Sequence, residues 1–293
     1  MATQGTTSGH EAVGNPDGLP VTVIVGATSK WQADGPNTLL AHGQTLSGDD
    51  IPTDSRWGLG GALALKFARE KHFVVPTTRK LSNADSLVSA IRNEGGQCAP
   101  VELDVSDPLS ISRVFGEIRA TFGDPEVLIY NAGYMAGRAL PPEQELMENF
   151  PPDLFETAID IACRGTFLVV REVLGAMRER GHGAVLFSNN QYSLRGRKRR
   201  TGESLYYPRT MMRALSQALT EEYSEHGVHV ANVVVDGFID SPGTRALPQF
   251  RDNVDALMSP ASIADAFVYL YRQDPSAWTH ELQLTASPTP LNH

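Results

Sequence analysis

Five successive residues, Val21-Thr22-Val23-Ile24-Val25, are all β-branched and are bounded by turn-forming residues. Such a run is too short for a typical helix and reads as a strand buried on both faces. Gly26-Ala27-Thr28-Ser29 then turns the chain with small side chains. The glycines resume at Gly58-Leu59-Gly60-Gly61 and lead into residues 62–70, which are strong helix formers. With residues 31–56 set aside, the text is a strand, a glycine turn and a helix. Glycines let such a turn close tightly around a ligand, and the free N–H groups at the helix start face a pyrophosphate. Taken alone, the same glycines also fit plain turn punctuation between a strand and a helix.

The stretch wedged into the turn, residues 31–56, is rich in Gly, Asp, Thr and Pro and has no sustained periodicity. A βα connection usually takes about 2–6 residues, so this is an insert. Three readings stand open: a lid over the cleft, a disordered insertion, or translated sequence foreign to the mature protein. Composition favours the disordered insertion. It is expected to bury little and to be dispensable for folding, because lengthening a surface loop carries only a logarithmic entropic cost. Residues 1–20 are polar, rich in Gly, Thr and Ser, and expected to form a disordered tail. No Lys or Arg precedes Lys30, which fits neither a secretory n-region nor an Arg-rich transit peptide.

Downstream, strands and helices alternate. Residues 73–78 read as a second strand ending at Arg79-Lys80, and residues 82–94 as a helix with Leu87, Ala90 and Ile91 on one face. Residues 98–103 form a third strand ending in Asp104-Val105, after which Ser106 is expected to cap a helix carrying Ile111, Val114, Phe115 and Ile118. Residues 127–130 form a fourth strand ending in Asn131-Ala132-Gly133. A long helix follows with Phe155, Ile159, Ala162, Thr166, Val169, Val173 and Met177 at helical spacing, then a strand at 184–188. A helix over about 203–225, a strand at 228–235, a helix at 260–272 and a last strand at 281–284 complete the pattern. This alternation implies a parallel sheet covered on both faces, with Gly26, Thr78-Arg79, Asp104 and Asn131 along one ligand-binding edge.

The formal net charge of −9 and a pI near 5.4 argue against nucleic acid or an anionic membrane as the main partner. No apolar run approaches the ~20 residues of a membrane span. Cys98 and Cys163 both lie in apolar segments and read as buried free thiols in a reducing compartment, with a cytoplasmic location as the expectation. His182, His226 and His229 lack metal-ligand spacing, so no metal is expected.

With these residues in order, the chain resembles the short-chain dehydrogenase/reductase family over roughly residues 20–285. The split glycine turn, Asp104-Val105, Asn131-Ala132-Gly133 and Asp236-Gly237-Phe238-Ile239-Asp240 carry the likeness. It implies an α/β, Rossmann-type, doubly wound parallel sheet in three αβα layers. The single domain is expected over residues 21–285, with 286–293 as a C-terminal tail. It also implies a nicotinamide dinucleotide held by Gly26, Thr28, Ser29, Gly58, Leu59, Gly60, Asp104, Val105, Asn131, Ala132, Gly133, Arg209, Gly237 and Ile239. Asp104 would bond the adenine amino group and Val105 would pack on the ring. Arg79 and Lys80 would pair with a 2′-phosphate, favouring NADP(H), where a carboxylate would instead bind two ribose hydroxyls.

The family's catalytic set is Asn, Ser, Tyr and Lys, and here the resemblance breaks. Alignment of the neighbouring motifs puts Ala162 at the asparagine position, Asn190 at the serine, Leu205 at the tyrosine and Arg209 at the lysine. A one-residue slip brings in Tyr206 or Tyr207, but their partners one turn on are Thr210 and Met211. Asp236 also replaces the family's proline before Gly237. The expected site is therefore rewritten. Arg209 can stabilise an oxyanion but cannot shuttle a proton at neutral pH. Asn190 can donate to a carbonyl, and Tyr206, Tyr192, Tyr134 and Asp240 are the candidate proton donors. Residues 195–200, five of the six basic, read as a solvated loop or a contact for an anionic substrate.

The expected activity is NADP(H)-dependent hydride transfer to or from a small carbonyl or imine. An iminium suits the rewritten site, because its reduction needs no proton donor to oxygen. A redox-neutral isomerase or cyclase, or a non-catalytic nucleotide-binding protein, remains compatible with the same scaffold. Resemblance further implies a homodimer or homotetramer through the two long helices.

Overall fold

A computed structural model of the protein describes residues 14–28, 51–133, 141–146, 148–195 and 207–287. Its eight strands are β1 Val21–Val25, β2 Phe73–Thr78, β3 Gln97–Cys98, β4 Val101–Glu102, β5 Pro125–Tyr130, β6 Gly183–Asn190, β7 Val228–Asp236 and β8 Glu281–Thr285. They pair in parallel in the order β3-β2-β1-β5-β6-β7-β8, with β4 also beside β2. The order reverses between β1 and β5. That switch point opens a crevice at the strands' C-terminal ends.

Every residue of β1 is buried, as its uninterrupted β-branched run requires. Pleating sends Ile24 to one face and Val23 and Val25 to the other, and each face has its own core. On the first face pack α2 (Gly58–Arg69), α3 (Asp85–Asn93) and α10 (Pro260–Tyr271), through Leu63, Phe67, Leu87, Ile91 and Phe267. On the second pack α4 (Pro108–Phe122), α6 (Gly165–Arg180) and α8 (Tyr207–Tyr223), through Ile111, Phe115, Val173, Met177 and Met212. The result is the parallel sheet covered on both faces that the alternation implied, in the three-layer, doubly wound form that the resemblance implied. No helix among the described residues is long and apolar enough to cross a membrane.

Several expectations need correction. The third strand is two short pieces, because Pro100 has no N–H for the ladder. Asp107, not Ser106, caps α4, its carboxylate accepting from the Leu109 N–H at 2.9 Å. The long helix is α5 (Pro152–Ile159) and α6, joined by a π turn over Asp160–Arg164. A π turn inserts one residue into the helical phase, so Phe155 rotates out of line with Val169 and Val173 and stays exposed. Cys163, inside that turn, is only partly buried; both thiols are free. Its thiol is nevertheless pushed up to about 11 by burial.

The expected tail joins the fold at residues 14–20. The Asn15 amide donates to the carbonyls of Leu19 (2.8 Å) and Phe122 (3.2 Å), and the Pro20 carbonyl accepts from the Phe73 N–H. The end of the insert, residues 51–56, is folded. Its last residues form α1 (Thr53–Arg56), and Ile51 and Ser55 are buried. The polar composition of the whole segment hid this anchored end, so dispensability is withdrawn for residues 51–56. Residues 29–50 lie outside the described residues.

Candidate cofactor and catalytic site

The glycine turn closes despite the insert. Gly26 has φ 79° and faces Ala132 so closely that a Cβ on it would sit 2.7 Å from the Ala132 Cα. A Cβ on Gly60 would lie 2.5 Å from the Gly26 carbonyl oxygen. Only glycine at both positions allows this approach of helix start to strand end. The Thr77 side chain accepts from Gly26 N–H (3.1 Å), and its carbonyl accepts from Ala27 N–H (3.0 Å). Across the switch point, the Asn131 amide donates to the Gly26 carbonyl at 2.9 Å and its backbone N–H to Val25 O. Among the described residues, the N-cap side chain of α2, Trp57, makes no capping bond, which suits an anion facing that helix end. The residues present fit a dinucleotide's diphosphate.

Beside this turn, Thr28 donates to the Thr78 hydroxyl at 2.9 Å, and Thr78 donates to Lys80 O. Arg79 and Lys80 follow, exposed at the end of β2. Asp104 lies exposed at the next strand end. Its Oδ1 accepts from both the N–H (2.9 Å) and hydroxyl (2.6 Å) of Ser106. Gly165 meets the Val105 carbonyl so closely that a side chain there would run into it.

On the other side of the crevice the chemistry differs. Arg209, in the first turn of α8, donates from Nη1 to the Ser188 carbonyl at 3.2 Å. Its Nη2 fills the space in which a Gly133 side chain would stand. The guanidinium thus bridges the ends of β5 and β6. Burial pulls its pKa below the usual arginine value, with nearby Tyr130 acting the other way. An arginine retains its charge through such a shift. Tyr130 donates its hydroxyl to the Ile161 carbonyl in the π turn, and burial raises its pKa. It is a wall, not a proton donor.

Asn190 also has a local structural role. Its Oδ1 accepts from the Tyr192 N–H at 3.1 Å and its carbonyl accepts from Ser193 Oγ at 2.7 Å, so it starts the short helix α7 (Tyr192–Arg195). Only the Nδ2 end retains the donor capacity that a carbonyl would use. Asn189, which sequence reading missed, donates to Arg209 O and to Asn232 Oδ1, both at 3.1 Å, and ties α8 to the sheet. The polar run Ser188-Asn189-Asn190 at the end of an apolar strand was the available signal. Ala162 sits in the π turn, buried.

Asp240 is removed as a proton donor. Both its oxygens are engaged, by Arg245 Nε (2.6 Å) and Nη2 (2.7 Å) and by Ser55 Oγ (2.7 Å). Gly237 and Ile239 sit just before it at the end of β7, partly buried. Asp236 accepts from the Gln283 side chain at 3.0 Å, bracing β7 against β8. Tyr192 opens α7. Ser29, Tyr134, Leu205 and Tyr206, and residues 196–200 of the basic run, lie outside the described residues. No cluster of three metal-ligating side chains occurs among the described residues.

The sequence model of the short chain dehydrogenase family matches residues 53–252. The chain belongs to that family. An uncharacterized oxidoreductase of Bacillus subtilis is 29% identical over 247 residues, covering 79% of this chain and 86% of its own. The 3-oxoacyl-[acyl-carrier-protein] reductase of Escherichia coli is 29% identical over 198 residues, covering 67% of this chain and 75% of its own. In fold, the chain is similar to a metagenomic short-chain oxidoreductase solved in complex with NADP. Their TM-score is 0.68 at 20% identity, over 92% of this chain and 97% of that one. A short-chain dehydrogenase from Rhodopseudomonas palustris gives 0.66 at 22% identity, over 90% and 97%.

Proposed function

We propose that this short-chain dehydrogenase is an NADP(H)-dependent oxidoreductase with a rewritten catalytic set, acting on a small carbonyl or imine. The observation that carries the reading is the pairing of a closed glycine turn with a guanidinium at the lysine position, between Gly133 and Ser188. Gly26, Gly58, Leu59 and Gly60, with Thr28 and Ser29, would hold the diphosphate; Arg79 and Lys80 would hold a 2′-phosphate. Asp104 and Val105 would flank adenine, and Asn131–Gly133, Gly237 and Ile239 would line the nicotinamide half. The cofactor supplies hydride chemistry. Arg209 stabilises negative charge developing on an acceptor oxygen or nitrogen, with Asn190 Nδ2 as a second donor, and the proton that completes the reduction comes from a tyrosine such as Tyr206 or from water. A fixed cation at this point repels an iminium, so a neutral acceptor fits the site better than the cationic one.

Exposed Phe155, Phe167 and Met211, on α5, α6 and α8, support self-association through these helices. A homodimer or homotetramer in the cytoplasm is part of this reading. The test titrates NADPH and NADH into the protein, then follows nicotinamide absorbance with panels of ketones, aldehydes and imines. NADPH-selective binding with turnover of a neutral acceptor is the expected result. Binding without turnover of any acceptor would favour a nucleotide-binding role instead.

A further inference from the structure

The described end of the segment that splits the glycine turn is hydrogen-bonded to the opposite wall of the crevice. Ser55, in the insert's closing helix α1, is buried and donates its hydroxyl to Asp240 Oδ2 at 2.7 Å. Asp240 is buried too, and Arg245 grips it with two charge-assisted bonds of 2.6 and 2.7 Å. Arg245 closes the short helix α9 (Pro242–Arg245), whose N-terminus Ser241 caps through the Thr244 N–H. The Asp240 N–H donates to Met258 O at 2.9 Å, and the Met258 N–H to Phe238 O at 2.8 Å. Residues 237–240 are thus held on both sides: by Met258 through the backbone, and by the insert through Ser55.

The direction of the crevice gives this clamp its meaning. Arg79, Lys80 and Asp104 follow strands on the β2 side of Gly26, where the adenosine half belongs on the cofactor reading above. The nicotinamide half then runs toward β5, β6 and β7, where Arg209, Asn190 and Gly237–Ile239 stand. We propose that Ser55, Asp240 and Arg245 form a positioning device that makes the insert set the Gly237–Ile239 wall against the nicotinamide half of the cofactor. None of the three side chains needs to touch the cofactor; they act through the wall. This inference rests on the cofactor reading for its ligand, though not for the clamp itself.

The test uses the full-length protein and the variants Ser55→Ala, Asp240→Asn and Ser55→Thr. Two probes are titrated, NADPH and 2′-phospho-ADP-ribose, which shares the adenosine half and diphosphate but lacks nicotinamide. A lost hydrogen bond to a charged group predicts about tenfold weaker NADPH binding in Ser55→Ala and Asp240→Asn. The fragment should bind all variants alike, and Ser55→Thr, which keeps the hydroxyl, should bind NADPH as the parent does. Unchanged NADPH affinity, or equal weakening of both probes, overturns the proposal. Amide hydrogen exchange of residues 237–246 supplies a cofactor-free arm. Faster exchange there in Ser55→Ala, with β1 and β5 unaffected, supports the clamp, and unchanged exchange overturns it. If the parent protein binds neither probe, the cofactor reading and the assigned role of the wall fall together, while the exchange arm still decides the clamp.

Discussion

The crevice has two sides that were built under different rules. Around β2, β1 and β5 the geometry is carried by backbone: Gly26 and Gly60 in contact, Asn131 bonded to the Gly26 carbonyl, and, among the described residues, a helix start whose N-cap side chain makes no capping bond. Around β6 and α8 it is carried by side chains: Arg209 reaches the Ser188 carbonyl, and Asn189 holds the Arg209 carbonyl and Asn232. A glycine turn tolerates almost no substitution, because any Cβ collides with backbone that cannot move away. A proton-transferring side chain can be exchanged while the fold persists. The first side therefore shows what the scaffold must do to close, and the second shows what chemistry remains open to it.

The comparison can be broken most sharply at Arg209. Arg209→Ala should lower turnover of an accepted substrate by about 10²–10³, the usual effect of removing one oxyanion donor. Arg209→Lys keeps the charge but not the two-pronged geometry, and should fall between. Steady-state kinetics with NADPH check both. If Arg209→Ala turns over normally, the chemistry belongs elsewhere in the crevice.

On the backbone-built side, Arg79→Ala should weaken NADPH by about ten- to a hundredfold, equivalent to about 1.5–3 kcal/mol, while leaving NADH nearly unchanged. Fluorescence titration of both cofactors makes the measurement. Gly60→Ala forces a methyl group against the Gly26 carbonyl and should cost about 1–3 kcal/mol of stability. It should also loosen cofactor binding. Thermal unfolding with and without NADPH tests both, and a fully stable variant with native affinity would mean that the turn is less constrained than its contacts indicate.

The smallest expected effect concerns the two histidines that are buried among the described residues. His72 bonds the Thr22 hydroxyl at 2.7 Å, and His229 lies stacked 4.8 Å from Trp278. Burial holds both imidazoles below their ordinary pKa. The unfolded chain takes up these protons first, so the stability present above pH ~6.5 is lost as pH falls toward the folded-state values. Urea unfolding at successive pH values should show a shallow decline beginning near that point, and His72→Gln should flatten part of it.

Much of the first side was legible in sequence, since strand periodicity, glycine spacing and Asn131-Ala132-Gly133 all report on backbone geometry. The second side was less legible, because alignment of neighbouring motifs assigns positions and says little about what the side chains standing there bond to. Asn190 illustrates this: alignment marks its position as a carbonyl donor, but that its oxygen also caps α7 depends on a local turn the alignment does not encode. Asp240 failed as a proton donor because Ser55, 185 residues earlier, bonds it. Such a pairing joins an insert to a loop and leaves no periodic trace. The π turn before α6 was hidden too, since one extra residue shifts helical phase without altering composition.

A crystal structure of the NADPH complex decides whether a dinucleotide lies across both sides of this crevice. The diphosphate should rest on Gly26 and the start of α2, the 2′-phosphate beside Arg79 and Lys80, and the nicotinamide ring between Arg209 and the Gly237–Ile239 wall. A nucleotide bound elsewhere, or a nicotinamide ring turned away from Arg209, would contradict that placement.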